Sequence, residues 1–92
     1  MRIRWTDPAA RDPRHICDYI HDRDAPAAAR RVALTVYQTV GSLSQFPNRS
    51  RPGRRPNTRE LVFPDLPFIA IYRIRGDVVE VVRILHGARK WP

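Results

Sequence analysis

The sequence predicts an α+β domain, a helical hairpin packed on one face of a small, mainly antiparallel sheet, with elements in the order β-α-α-β-β-β. Three observations predict it. A short alternating segment opens the chain, two stretches with apolar residues at three- and four-residue steps come next, and three runs rich in β-branched and aromatic residues fill the second half. Ninety-two residues suit one domain, 1–92, with one modest core and no large enclosed cavity. No internal repeat or composition break divides them.

Residues 2–6, RIRWT, place Ile3 and Trp5 on one face and Arg2 and Arg4 on the other, as a half-buried strand does. Asp7 and Pro8 then supply a helix N-cap and a proline at the first helical position. A second Asp-Pro at 12 and 13 predicts a kink or restart near Pro13, because a proline inside a helix removes a backbone donor and crowds the preceding turn. Ile16, Tyr19 and Ile20 line one side of the helix beyond Pro13. Asp24, Ala25 and Pro26 punctuate the chain before a second helix, on which Ala29, Val32, Ala33, Val36, Val40 and Leu43 recur at helical spacing; Phe46 and Pro47 close it. Two amphipathic stripes joined by a tight link predict a helical hairpin.

The sheet comes mainly from residues 59–63 (RELVF), 67–75 (PFIAIYRIR) and 78–86 (VVEVVRILH), with turns at 64–66 and at Gly76-Asp77. They read as an antiparallel meander. Strict alternation puts Val79, Val81, Arg83 and Leu85 on one face and Val78, Glu80, Val82, Ile84 and His86 on the other, so Arg83 and His86 do not meet. Arg73 and Arg75 share a face with Ile69 and Ile71, and Tyr72 sides with Phe68. Arg83, in an otherwise apolar strand, needs a partner or a groove.

Charge narrows the function classes. The formal net charge is +8, and sixteen of the seventeen cations are arginine. Residues 1–46 hold seven arginines against five aspartates, whereas residues 47–92 hold ten cations against four acids. Arginine forks pair bidentately with phosphate and carboxylate, so nucleic acid or an acidic protein segment is the natural partner. The densest stretch, PNRSRPGRRPNTR at 47–59, reads as a loop of limited flexibility carrying Arg49, Arg51, Arg54, Arg55 and Arg59, with no acid before Glu60.

Other classes are disfavoured. No segment reaches the roughly twenty apolar residues that cross a bilayer, and the opening MRIRWTDP has no apolar core of a signal peptide, so a cytoplasmic protein is expected. The single cysteine, Cys17, beside Ile16 in a helical pattern, reads as semi-buried packing, and neither it nor the histidines form a metal-ligand spacing. No metal or other cofactor is expected. His15 and His21 read as exposed on the first helix.

TRELVF at 58–63, FIAIYRI at 68–74 and DVVEVVRILHGARKWP at 77–92, together with the helix-ending FPNRSRPG at 46–53, resemble the RelE/ParE superfamily of bacterial toxins, and the resemblance covers essentially the whole chain. It implies the toxin of a type II toxin-antitoxin pair, neutralised by a cognate antitoxin whose acidic segment wraps it and through which alone the toxin reaches operator DNA. Members divide between RelE-like cutting of mRNA on the ribosome and ParE-like poisoning of DNA gyrase. A basic nucleic-acid-binding module without toxicity is the reading outside this class.

Cleavage of RNA by its 2′-hydroxyl needs a base, a group that stabilises the phosphorane and an acid for the leaving oxygen; arginine fills only the middle role. In a RelE-like reading Arg89, Arg83 and His86 are the catalytic candidates. Arg89 matches by position the arginine that such nucleases carry beyond their last core strand, and His86 is the remaining proton shuttle. Two departures count against cleavage: Ile69 stands where RelE-like proteins place an arginine, and Trp91 where many supply a tyrosine. The Leu85-His86 pair closing the last strand is also common among ParE-like sequences. The sequence therefore leans to ParE-like action, with Arg49, Arg51, Arg54, Arg55, Arg59, Arg73, Lys90 and Trp91 facing target or antitoxin.

Overall fold

Strand β1 (Arg2–Trp5) leads into helices α1 (Asp7–Arg23) and α2 (Pro26–Gly41), a 3-10 turn (Ser42–Ser44), and strands β2 (Arg51–Pro52), β3 (Arg59–Val62), β4 (Phe68–Arg75) and β5 (Val78–His86). The computed structural model describes residues 1–23 and 26–87. The strands form one five-stranded sheet in the order β1-β5-β4-β3-β2, antiparallel except where β1 runs parallel to β5. The helical hairpin covers one face, and among the described residues no helix covers the other, the open face.

Strands β3 and β4 obey the alternation that predicts them. Tyr72, Ala70, Leu61, Val79 and Val81 are buried against Ala9, Val36, Val40 and Leu43 from the helical layer, with Ile3, Trp5, Phe68 and Ile74 packed around them. Gly76 turns the β4–β5 hairpin at φ 58°, a backbone region that costs a glycine little. No helix among the described residues is long and apolar enough to cross a membrane.

Four local expectations are corrected. The cap of α1 is Thr6 rather than Asp7: its Oγ1 accepts from the Ala9 N–H at 3.2 Å and donates to the Val82 carbonyl at 3.0 Å. Helix α1 runs through Pro13 without a restart, since Asp12 is engaged with β5 and holds this turn against the sheet. Helix α2 ends at Gly41, so Leu43 lies in the 3-10 turn while remaining fully buried. Residues 51–52 of the arginine-rich loop pair with β3 as a short edge strand.

A bulge in β5 overturns the predicted face assignment of that strand. Ile71 pairs with Arg83 and Tyr72 with Val81, leaving Val82 as the extra residue. Val79 and Val81 consequently share the helix-covered face with Ile84. Leu85 packs with Ile69, Ile71 and Val82 in a separate small cluster on the open face. Arg83 and His86 still fall on opposite faces, because the bulge lies before both.

The junction of β1, α1 and β5 positions the site. β1 stops at Trp5, opposite Val81, and would leave the rest of that β5 edge unpaired. Instead Thr6 N–H donates to the Val81 carbonyl at 3.0 Å, Thr6 Oγ1 donates to the Val82 carbonyl, and the buried carboxylate of Asp12 accepts the Ile84 N–H at 2.8 Å. The start of α1 thus takes over the hydrogen bonding of a missing strand.

Candidate functional site

Arg4, Arg51, Arg73 and Arg83 share the open face, and buried carboxylates organise them. Glu80, flanked by valines in β5, accepts from Arg73 Nε at 2.5 Å and from Arg4 Nη2 at 2.6 Å. The hydrogen bond from Arg73 holds its carboxyl below the usual carboxylate range; burial opposes that shift and Arg4 adds to it. Arg83 donates Nε and Nη2 to the two oxygens of Asp12 at 2.8 and 3.0 Å. That pairing raises the Arg83 pKa against the opposing effect of burial.

A third carboxylate, Glu60 on β3, is also buried. It accepts from Arg51 Nε and Nη2 at 3.3 and 3.1 Å and from the Arg54 backbone N–H at 3.2 Å, with Arg54 Nε 3.7 Å away. Arg59 donates to Ser50 Oγ and to the carbonyls of Asn48 and Ser50, and Arg49 donates to Ser42 Oγ. Tyr72, rooted in the core, donates its hydroxyl to the Pro47 carbonyl at 2.7 Å and lies 2.5 Å from Ser50 Oγ. The loop at 47–59 is therefore tied down largely by its own arginines.

Between this loop and the sheet lies a cleft of about 310 Å³, lined by Arg55, Pro56 and Thr58 from the loop and by Ile71, Arg73, Val82 and Arg83 from β4 and β5. Four predicted site residues are thus sorted: Arg55, Arg73 and Arg83 converge on one cleft, while His86 lies elsewhere. The ring of His86 meets Phe68 edge-on at 5.9 Å and lines an apolar groove of about 600 Å³ with His15, Ile16, Tyr19, Ile20 and Leu66, on the helix side. Arg89, Lys90 and Trp91 lie outside the described residues. Among the described residues, no group of three or more His, Cys, Asp or Glu is placed to hold a metal ion.

Sequence reasoning missed the three organising acids. Each carried a signal. Glu60 and Glu80 interrupt runs of β-branched and apolar residues, where a charge needs a buried partner, and Asp12 precedes a proline at which helix capping was the simpler reading.

Comparison with known proteins agrees with this architecture. A model of the family described as the ParE toxin of the type II toxin-antitoxin system, parDE, matches residues 3–91. The chain is 44% identical over 91 residues to the putative toxin Y4kP of Sinorhizobium fredii, covering 99% of this chain and 93% of that one. It is 34% identical to toxin RelE2 of Caulobacter vibrioides, covering 96% and 97%. A solved chain of the chromosomal ParDE toxin-antitoxin system from P. aeruginosa matches with a TM-score of 0.88 at 30% identity, over 94% of this chain and 95% of that one. A chain of the toxin-antitoxin complex RelBE2 from Mycobacterium tuberculosis matches at 0.59 and 27%, over 92% and 95%. With a family match along nearly its whole length and the two-helix, five-strand architecture of these toxins, the chain belongs to the ParE toxin family of type II toxin-antitoxin systems.

Proposed function

We propose that the protein arrests growth in the cytoplasm by ParE-like engagement of DNA gyrase, without hydrolysing nucleic acid itself. The observation that carries this reading is the separation of the cleft arginines from any imidazole or phenol among the described residues. On the open face, among the described residues, neither an imidazole nor a phenol accompanies Arg55, Arg73 and Arg83, and Glu80 is held ionised by Arg73 and Arg4. His86 faces the helices. General acid-base catalysis requires a shuttle within hydrogen-bond reach of the reacting oxygens.

A cognate antitoxin neutralises the toxin in this reading. Its acidic segment covers the basic face, where the arginine contacts offset the entropy of ordering it. The M. tuberculosis chain was solved in a toxin-antitoxin complex, which supports the same class of partner here. Operator DNA is contacted through the antitoxin.

The test pairs two assays on purified toxin. Incubation with gyrase, supercoiled DNA and ATP is expected to accumulate cleaved DNA, reversed by antitoxin. Cuts in ribosome-bound mRNA without any effect on gyrase would overturn the reading. The 34% identity to toxin RelE2 makes RelE-like cleavage the second reading, and the same pair of assays separates the two.

A further inference from the structure

We propose that the arginine cleft of the open face seats a phosphodiester of DNA and leaves it intact. The proposal deepens the gyrase reading by naming what this face contacts in a gyrase-DNA complex, and rests on that reading only for its setting.

Among the described residues, every charged residue lining the cleft is an arginine. Two of them are gripped from behind. Arg73 spends Nε on Glu80, which leaves both of its terminal nitrogens available, and Arg83 spends Nε and Nη2 on Asp12, which leaves Nη1. Glu80 and Asp12 thereby fix the two guanidinium groups before any ligand arrives, and a pre-ordered arginine loses less entropy per bond formed. Val82 and, from the loop, Pro56 supply an apolar surface beside these donors for the sugar or base of a nucleotide. The cation stripe continues past the cleft through Arg4 and the exposed Arg2 and Arg75, which share this face. A polymer with a charge at every unit matches a stripe better than a single anion does. DNA offers no 2′-hydroxyl nucleophile, and among the described residues the lining holds no imidazole or phenol to move a proton, so the bound phosphodiester stays whole.

The probe is a fluorescent 12-nucleotide single-stranded DNA of mixed sequence, with RNA of the same sequence and an oligoglutamate peptide as parallel arms. The variant is Arg55→Gln with Arg73→Gln, in which Glu80 keeps Arg4 as a partner. The control is Arg30→Gln with Arg31→Gln on α2, an equal charge loss in the helical layer. Thermal melting verifies that both fold. The cleft variant is expected to bind DNA about tenfold more weakly at low salt and to lower the slope of log K against log salt by about 1.4, from roughly 0.7 per lost phosphate contact on a single strand. The control is expected to move neither by half as much. With gyrase, the cleft variant is expected to need about tenfold more toxin to accumulate the same cleaved DNA.

Equal losses in variant and control would overturn the proposal, because the effect would then be the general field of a basic protein. So would cleft-dependent binding of oligoglutamate or RNA in preference to DNA, or cutting of the DNA probe. Binding is measured without gyrase, so a toxin inactive on gyrase whose DNA binding still depends on Arg55 and Arg73 would sink the functional reading and leave the cleft assignment standing. Conversely, gyrase poisoning untouched by the variant would sink the cleft alone.

Discussion

Asp12 and Arg83 lie 71 positions apart in the sequence and meet through two hydrogen bonds, Nε to Oδ2 at 2.8 Å and Nη2 to Oδ1 at 3.0 Å. The same carboxylate accepts the backbone N–H of Ile84. One side chain thus joins helix α1 to the edge of β5 and holds an arginine of the basic cleft. A buried pair with this geometry matters less for its net contribution than for what its loss exposes.

Replacing Asp12 by alanine leaves Arg83 without its acid and Ile84 N–H without an acceptor. The expected loss is about 3–5 kcal/mol, which at roughly 4–8 °C per kcal/mol for a domain of this size lowers the melting temperature by more than about 12 °C. Asp12→Asn keeps an oxygen for Ile84 and is expected to lose less. Calorimetry of the two variants checks this ranking.

Glu80 makes stability depend on acidity. Its carboxyl is depressed in the folded state, chiefly by the hydrogen bond from Arg73, so its contribution is fully present above the ordinary carboxylate pKa and is lost as pH falls through the folded value. Urea midpoints measured from neutral pH down to about pH 3 are expected to fall at the acidic end. In Glu80→Gln that share of the slope is expected to disappear, at the cost of lower stability throughout.

Tyr72→Phe tests how the loop is moored. It removes the bonds to the Pro47 carbonyl and Ser50 Oγ while keeping the buried ring. A destabilisation of about 1–2 kcal/mol is expected, with faster amide exchange concentrated at residues 48–51. Unchanged exchange there would mean that the arginine contacts and the β2–β3 pairing hold the segment without the Tyr72 hydroxyl.

Arg51→Ala with Arg54→Ala removes two side-chain cations that pair with the buried Glu60, and is expected to cost about 3 kcal/mol or more, read by denaturant titration. Arg55→Ala, from the lining of the cleft, is expected to weaken polyanion binding, read by the salt dependence of affinity.

Much of the fold was legible because each of its main elements obeys one period. Ile69 to Arg75 alternate without interruption, and Val32, Val36 and Val40 hold a helical stripe, so local pattern and tertiary packing agree. The misses share a different cause. The bulge at Val82 adds one residue to a run that is apolar either way, so nothing in VVEVVRIL marks where the count slips. Thr6 and Asp12 take their roles from β5, more than 70 residues distant, and no local rule reports a partner so far along the chain. At the site, composition marked the basic loop but not the pairings within it, because those of Arg51 and Arg59 with Glu60 and Ser50 depend on the β2–β3 register.

The way α1 closes the edge of β5 also sets an order of assembly. The meander β3-β4-β5 joins neighbours in sequence and can form early, whereas β1 and the first turns of α1 find long-range hydrogen-bonding partners in residues 77–84. On a translating ribosome the first-made strand must therefore wait for β5. Arg73 and the loop arginines find their acids within the meander, whereas Arg83 is braced only when Asp12 docks, so the cleft is completed by the beginning of the chain meeting its end.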